Sequence, residues 1–280
     1  MQDYSAEHNA LLPVVREAGH AVMRFFTRGE YEVRHKDPEN PVTEADFAAN
    51  RILVRAIREL FPHDALLSEE IEHPHERGAM NAERSERKRV WVIDPIDGTR
   101  EFIKGRPQFA VSVGLVEEGR AVLGFICNPA ADYLLSGGPG LGLFRDGKRF
   151  IPTHRPAFTP PASYPRIVVS LSEFKQNQIT HLQKYYADLE HRAMGSIAYK
   201  LALVADGTFD LVISVKPKNE WDLAGGAALL AAERLELRDG SYAPLVFNKA
   251  ETETLGLIAG TKDACLWYKN IQNPEAPTTA

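Results

Sequence analysis

Trp91-Val92-Ile93-Asp94-Pro95-Ile96-Asp97-Gly98-Thr99 is an apolar strand ending in two carboxylates three residues apart, followed by a Gly-Thr step. Pro95 removes one backbone donor and forces the chain to turn, so both carboxylates converge at the strand's C-terminal edge. Asp97, Gly98 and Thr99 then open a short helix toward Phe102, whose first-turn N–H groups point at an anion. The string predicts a metal held beside a phosphate. Hard Mg²⁺ takes several oxygen ligands, so further carboxylates are expected elsewhere.

Two more acidic clusters meet that expectation. Ser68-Glu69-Glu70 follows the short apolar run Ala65-Leu66-Leu67, and Glu220-Trp221-Asp222 opens an Ala/Gly-rich helix whose small residues 224–228 allow close approach to other backbone. Each has an ordinary explanation. A Glu-Glu after a strand is commonly a solvated turn, Asp46 is the N3 residue of a capping box begun by Thr43, Asp222 complements a helix dipole, and Thr99 caps a helix. Asp94 and Asp97, with Pro95 between and Gly-Thr behind, resist such explanations, and the joint occurrence favours function.

Outward from this string, apolar residues at helical spacing predict an amphipathic helix from Ala10 to Phe26 and a second from Thr43 to Leu60, the two pairing. The charged stretch Ile71 to Lys88 reads as an exposed loop. Strands are expected at Arg89–Asp94, Phe109–Val116 and Ala121–Cys127, the last two joined by a hairpin turn at 117–120. The glycine-rich stretch 137–147 reads as hairpin turns around a short strand rather than a nucleotide loop, since it does not lead a strand into a helix. Five prolines between Pro152 and Pro165 mark a linker. Beyond it, strand and helix alternate: strands at 167–170, 209–214 and 256–259, and helices at 174–189, 196–205 and 222–232 and near the end. The tail from Asn273 to Ala280 is expected to fray.

The chain has 280 residues, 44% hydrophobic and 25% charged, a globular composition with room for a large core. A net charge of −5 supplies no global field for nucleic acid or an anionic membrane, so an anionic ligand must be held locally. Cys127 and Cys265 form neither a disulfide framework nor a zinc motif. No apolar run reaches the roughly 18 residues of a membrane span, and the charged N-terminus is unlike a signal peptide. A cytoplasmic location is expected.

In order along the chain, Asp46, Glu69-Glu70, Asp94-Pro95-Ile96-Asp97-Gly98-Thr99 and Trp221-Asp222 resemble the signature of the lithium-sensitive Mg²⁺-dependent phosphomonoesterases, the superfamily of inositol monophosphatases and 3'(2'),5'-bisphosphate nucleotidases. The resemblance implies an α+β fold, a layered αβαβα sandwich of the inositol monophosphatase/fructose-1,6-bisphosphatase type. Residues 1–151 would form an α+β half with most metal ligands, and 152–280 an α/β half with the Trp-Asp ligand and substrate contacts. It further implies that Glu69, Asp94 and the Ile96 carbonyl hold one Mg²⁺, and that Asp94, Asp97 and Asp222 hold a second, with Glu69 supporting a weaker third. Asp46 and Thr99 would position and deprotonate the attacking water, while Asp97, Gly98 and Thr99 would meet the phosphate. Inhibition by Li⁺ and a homodimer are implied in the same way.

The string Arg100-Glu101-Phe102-Ile103-Lys104 is similar to the bisphosphate nucleotidase branch, as are Gly195-Ser196-Ile197-Ala198-Tyr199-Lys200 and the run from Pro217 to Asp222. Arg100, Lys104, Ser196, Lys200 and Asp222 are therefore candidate substrate contacts, and 3'-phosphoadenosine 5'-phosphate is the expected substrate. Val215 stands where inositol phosphatases commonly carry an acid. Against this, Ser170-Leu171-Ser172 lacks the central arginine of many nucleotidases, which keeps inositol monophosphate and other sugar phosphates as alternatives. A haloacid-dehalogenase-like phosphatase would separate its aspartates by one residue rather than two. A phosphate-ligand sensor would normally have lost a metal ligand, and this chain keeps them all.

Overall fold

The computed structural model describes residues 2–37, 40–70, 81–152 and 157–272. Its first sheet has seven strands in sequential order: β3 (Ala65–Ser68), β4 (Arg89–Asp97), β5 (Ala110–Glu117), β6 (Arg120–Asn128), β7 (Tyr133–Gly138), β8 (Gly142–Arg145) and β9 (Lys148–Phe150). They follow a short hairpin of β1 (Val33–Asp37) and β2 (Asn40–Thr43). β3 and β4 are parallel and every later neighbour is antiparallel. The second sheet has the order β11 (His191–Met194), β10 (Ile167–Ser170), β12 (Leu211–Ser214), β16 (Leu257–Gly260) and β14 (Glu236–Asp239). A separate pair joins β13 (Lys218–Asn219) to β15 (Glu253–Thr254).

The strands read as continuous apolar runs because both faces of each sheet are covered. In β4, Trp91 and Ile93 face a core shared with α1 (Ser5–Arg28) and α2 (Glu44–Leu60), while Val90 and Val92 face the central core. In the second sheet, Val168, Val212, Leu257 and Ala259 face that same central core, and Ile167, Val169, Leu211, Ile213 and Ile258 face an outer one. The outer core is closed by a 3₁₀ turn at Thr180–Tyr185 and by the C-terminal helix, Lys262–Gln272. The layers are therefore αβαβα, as expected.

Two helices fill the middle layer. Short elements precede them in the chain: α3 is Thr99–Ile103 and α4 is Leu171–Lys175. The middle helices are α5 (Ile197–Ala205) and α6 (Glu220–Ala232), and the C-terminal helix is α7. α5 and α6 are apolar nearly all round, as a helix between two sheets must be. α6 lies directly on β5 and β6 because glycines meet there: a Cβ on Gly124 would stand 2.0 Å from the Gly225 carbonyl oxygen, and one on Gly114 would stand 2.7 Å from the Ala224 carbonyl carbon. The small residues of 224–228 do what their pattern implies.

Several boundaries differ from the sequence reading. α1 begins at Ser5 rather than Ala10, because Tyr4 and His8 are buried; the Tyr4 hydroxyl donates to Glu117, and His8 Nε2 pairs with Ser136 Oγ at 2.8 Å. The expected helix at 174–189 is instead α4, of five residues, and a 3₁₀ turn; Asn177, at φ 54°, turns the chain between them. β11 and β14 carry too few apolar residues to signal strands, and they form because β10 and β16 offer them pairing edges. In the stretch expected to be an exposed loop, residues 71–80 lie outside the described residues, but 81–85 are helical and Arg84 is buried. The linker in part and the C-terminal tail also lie outside the described residues.

Candidate active site

β4 does not stop at Asp94. Its pairing with β5 shifts register between Asp94 and Asp97 and resumes at Asp97 opposite Ala110. This bulge at Pro95-Ile96 places both carboxylates at the same end of the strand, as a bulge re-aims side chains near functional sites. Gly98 then caps α3 at φ 96°, a conformation that a side chain resists, and a Cβ there would stand 2.8 Å from the Gln108 carbonyl. Gly is required between Asp97 and Thr99.

The C-terminal half supplies the third carboxylate. Asp222 is the N3 residue of α6 in a capping box with Asn219, whose N–H donates to Asp222 Oδ2 at 2.7 Å. Ligand oxygens of Asp94, Asp97 and Asp222 lie within 4.8 Å of one another. A cleft of about 540 Å³ opens over them, and Glu69, Ile96, Gly98 and Thr99 line it too. The Glu69-Glu70 pair is not a solvated turn. Glu70 is buried, its carbonyl accepts from Asn50 Nδ2 at 2.8 Å, and Asn50 Oδ1 accepts from Ser68 Oγ at 2.8 Å.

Asp46 serves two roles at once. As the capping-box residue of α2 it accepts at Oδ2 from the Thr43 N–H and hydroxyl, at 2.8 and 2.7 Å. Its other oxygen faces Thr99 Oγ1 at 3.4 Å, and that hydroxyl also lies 2.9 Å from the Ile96 carbonyl. Asp97 is held from the C-terminal half: Ser196 Oγ and the Ala198 N–H each donate to its Oδ2 at 2.6 Å. Ser196 thus serves Asp97 directly.

Burial and mutual repulsion dominate the electrostatics. Burial, then Glu69, Asp97 and Asp222, push Asp94 well above the usual carboxylate range. Burial and Asp97 push Asp222 up to about 8, and burial pushes Asp46 up to about 7 against its Thr43 hydrogen bonds. Burial also raises Asp97, opposed by Ser196 and Lys200. Carboxylates crowded in this way gain by taking a divalent cation between them. The donor set is all oxygen, as a hard cation requires, and it fits Mg²⁺.

A second cleft, of about 350 Å³, joins the first along Asp97, Arg100, Glu101 and Asp222. Lys104 and Lys175 line it, with Lys218 and Arg106. Of the residues expected to meet substrate, Arg100, Lys104, Ser196, Lys200 and Asp222 all line this cleft. Lys200 is buried, however, and its Nζ donates to the Met194 and Gly195 carbonyls at 3.1 Å each, with burial lowering it to about 8. The Lys200 ammonium ties the loop before α5 to that helix.

The Inositol monophosphatase family model matches residues 3–233. The chain belongs to the inositol monophosphatase family. It is 30% identical over 247 residues to the 3'(2'),5'-bisphosphate nucleotidase CysQ of Haemophilus influenzae, covering 87% of this chain and 88% of that one. Among solved structures, CysQ from Bacteroides thetaiotaomicron has a TM-score of 0.73 and 25% identity, covering 92% of this chain and 97% of that one. The extragenic suppressor protein suhB from Bartonella henselae shares the fold at a TM-score of 0.77 and 24% identity, covering 97% of this chain and all of that one. As a family member the chain is a phosphatase, a hydrolase of phosphate monoesters.

Sequence reasoning did not single out Lys175, Lys218 or Arg106 as members of this family member's cleft. Lone basic residues carry no periodic or motif signal, and only the juxtaposition of the loop after α3, α4 and β13 gathers them. The hold of Ser196 and Ala198 on Asp97 was equally invisible, because it links residues about a hundred positions apart.

Proposed function

We propose that this phosphatase is a Mg²⁺-dependent, cytoplasmic 3'(2'),5'-bisphosphate nucleotidase acting on 3'-phosphoadenosine 5'-phosphate. The observation that carries this reading is the pair of joined clefts, one walled by carboxylates and one by cations. A substrate with a scissile phosphate and a second anionic group some distance away fits both. The CysQ relatives support the same class. The absent arginine at Leu171, which lines the basic cleft, favours inositol monophosphate or another sugar phosphate as the second reading.

In this reading Glu69, Asp94 and the Ile96 carbonyl would hold one Mg²⁺, and Asp94, Asp97 and Asp222 would hold a second. Bound Mg²⁺ would polarise the phosphoryl oxygens and neutralise the leaving alkoxide. Thr99 Oγ1 accepts a hydrogen bond from the attacking water while turning its own proton from the Ile96 carbonyl toward Asp46. Asp46, whose carboxyl burial pushes up to about 7, takes that proton as Thr99 Oγ1 takes one from the attacking water, and the leaving alkoxide takes its proton from solvent water. Gly98 and Thr99 N–H groups at the start of α3 meet the equatorial oxygens. Water and ester give alcohol and phosphate, with no phosphoenzyme.

Phosphate release measured in parallel from 3'-phosphoadenosine 5'-phosphate and inositol 1-phosphate, with Mg²⁺ and with or without Li⁺, tests the reading. A large kcat/KM preference for the nucleotide is expected, and a preference for inositol 1-phosphate overturns it. Lys104→Ala/Lys175→Ala should raise KM for the nucleotide about tenfold, as two partly screened ion pairs imply, with kcat and hydrolysis of the inositol ester little changed. Equal KM increases for both esters would sink that role.

The pH profile reports on Asp46. A general base must be ionised, so activity should fall as pH drops below an inflection at or below about 7, since bound cations pull the carboxylate down from its metal-free value. Asp46→Asn should cut kcat about 10²- to 10³-fold and remove the acid limb. An unchanged limb in that variant assigns the proton elsewhere.

A further inference from the structure

Arg84 lines neither cleft, yet the residue is only 3% exposed. Its Nη1 donates to Asn248 Oδ1 at 3.0 Å and to the Lys249 carbonyl at 2.7 Å, and its Nη2 donates to the Ala250 carbonyl at 3.2 Å. Nε donates to Asn81 Oδ1 at 2.9 Å, and Asn248 Nδ2 returns a hydrogen bond to the Arg84 carbonyl at 3.0 Å. On the other side of the same segment, the N–H groups of Asn248 and Lys249 donate to the buried Glu220 carboxylate at 2.7 and 2.9 Å. Residues 248–250 thus lie between a buried cation and a buried anion, the Lys249 and Ala250 carbonyls toward one and the Asn248 and Lys249 N–H groups toward the other. The two charges stabilise each other through the intervening peptide dipoles, and neither is left uncompensated.

Glu220 opens α6, two residues before Asp222. Its N–H donates to the Thr252 carbonyl at 3.1 Å, Thr252 Oγ1 donates to Asn219 Oδ1 at 3.0 Å, and β13 pairs with β15 over Lys218–Asn219. Asn219 in turn fixes Asp222 Oδ2. The clamp therefore ends on the carboxylate that the C-terminal half brings to Asp94 and Asp97. Repulsion among those three carboxylates drives the Asp222 arm away, and a rigid seat for the α6 N-terminus opposes it.

We propose that Arg84 is a positioning residue for the metal centre, holding the Asp222 arm in place through residues 248–250 and Glu220. This rests on the metal-centre reading above. Partners that orient metal ligands commonly change metal affinity ten- to hundred-fold when removed. Arg84 is thereby a link between the chain segment before β4 and the helix that carries Asp222.

The test titrates Mg²⁺ into the full chain by calorimetry and also measures the KM for Mg²⁺, kcat at saturating Mg²⁺ and the Tm in EDTA. Arg145→Ala serves as a structural reference, because Arg145 bonds Asp206 and covers Tyr133 without reaching Asn219 or Asp222. Arg84→Gln should weaken Mg²⁺ binding about tenfold and raise the KM for Mg²⁺ equally, with kcat at saturation within about twofold. Glu220→Gln should act in the same direction, and the double variant should be no worse than the weaker single. Arg145→Ala should lower the Tm in EDTA and leave Mg²⁺ binding unchanged. If Arg84→Gln does not fold, Asn248→Ala interrogates the same clamp with the same expectations. Mg²⁺ binding at wild-type affinity in these folded variants, or an equal loss in Arg145→Ala, overturns the role of Arg84 alone. No Mg²⁺ binding by the wild-type chain overturns the metal-centre reading and this inference together.

Discussion

Asp94→Asn is expected to reduce phosphate release by about 10³-fold, the upper range for one electrostatic group in an active site, and to make the metal-free protein more stable at pH 8. The two effects have one cause. Burial, then the charges of Glu69, Asp97 and Asp222, hold the Asp94 carboxyl well above the usual range. Asparagine keeps the acceptor that takes the Ile96 N–H at 3.0 Å and removes the charge that repels the others. The sign follows from proton linkage. Asp46, Asp94 and Asp222 bind protons more tightly folded than unfolded, so in EDTA the stability present near pH 4 is lost as pH rises toward about 8. Melting curves in EDTA from pH 5 to 8 should therefore descend for the wild type and descend less for Asp94→Asn. Mg²⁺ at a hundred times its Kd should raise the wild-type Tm at pH 8 by about 5–10 °C and leave the variant unmoved. A variant that melts lower than wild type in EDTA at pH 8 would show that Asp94 is not a strained charge.

Gly124→Ala should be strongly destabilising. The added carbon would stand 2.0 Å from the Gly225 carbonyl oxygen, and a backbone carbonyl within a packed helix cannot swing aside as a side-chain tip does. Overpacking of this kind costs about 3 kcal/mol, which lowers the Tm of a chain this long by about 6–12 °C. The loss should extend to the site. If α6 lifts off β6, Asp222 moves away from Asp94 and Asp97, so Mg²⁺ affinity should fall together with the Tm. A Gly124→Ala protein melting within 2 °C of wild type would contradict the close packing of α6 on the sheet.

The carboxylates were legible because each sits where local rules also put an acid. Asp46 and Asp222 are capping-box residues, and Asp94 and Asp97 end an apolar strand, so composition and periodicity mark them before any contact is known. The strands of the first sheet were legible for the same reason, their apolar runs being those of strands buried on both faces. Less was visible in the second half. The proposed helix at 174–189 has apolar residues at serviceable spacing, but Ser170 caps a helix that ends at Lys175, and the turns that follow pack Leu182 against the outer face of the second sheet. Glu173 decides the geometry there: its buried carboxylate accepts from Ser214 Oγ and from the N–H groups of Val215 and Lys216, partners about forty residues away.

Local order along the chain was enough to mark which residues are acids at element ends, which segments are apolar enough to form buried strands, and that α6 must lie close to something. Those are properties of neighbours in the chain, fixed by periodicity, capping and side-chain size. It took the docked sheets to show that three of those acids share one centre, that Ser196 and Ala198 hold Asp97, that Lys104 and Lys175 face one cleft from different elements, and that Arg84 is buried rather than solvated. These depend on the register and docking of two sheets through the α5–α6 layer, and segments distant in sequence meet there because burying both faces of each sheet leaves the chain no other place to put them.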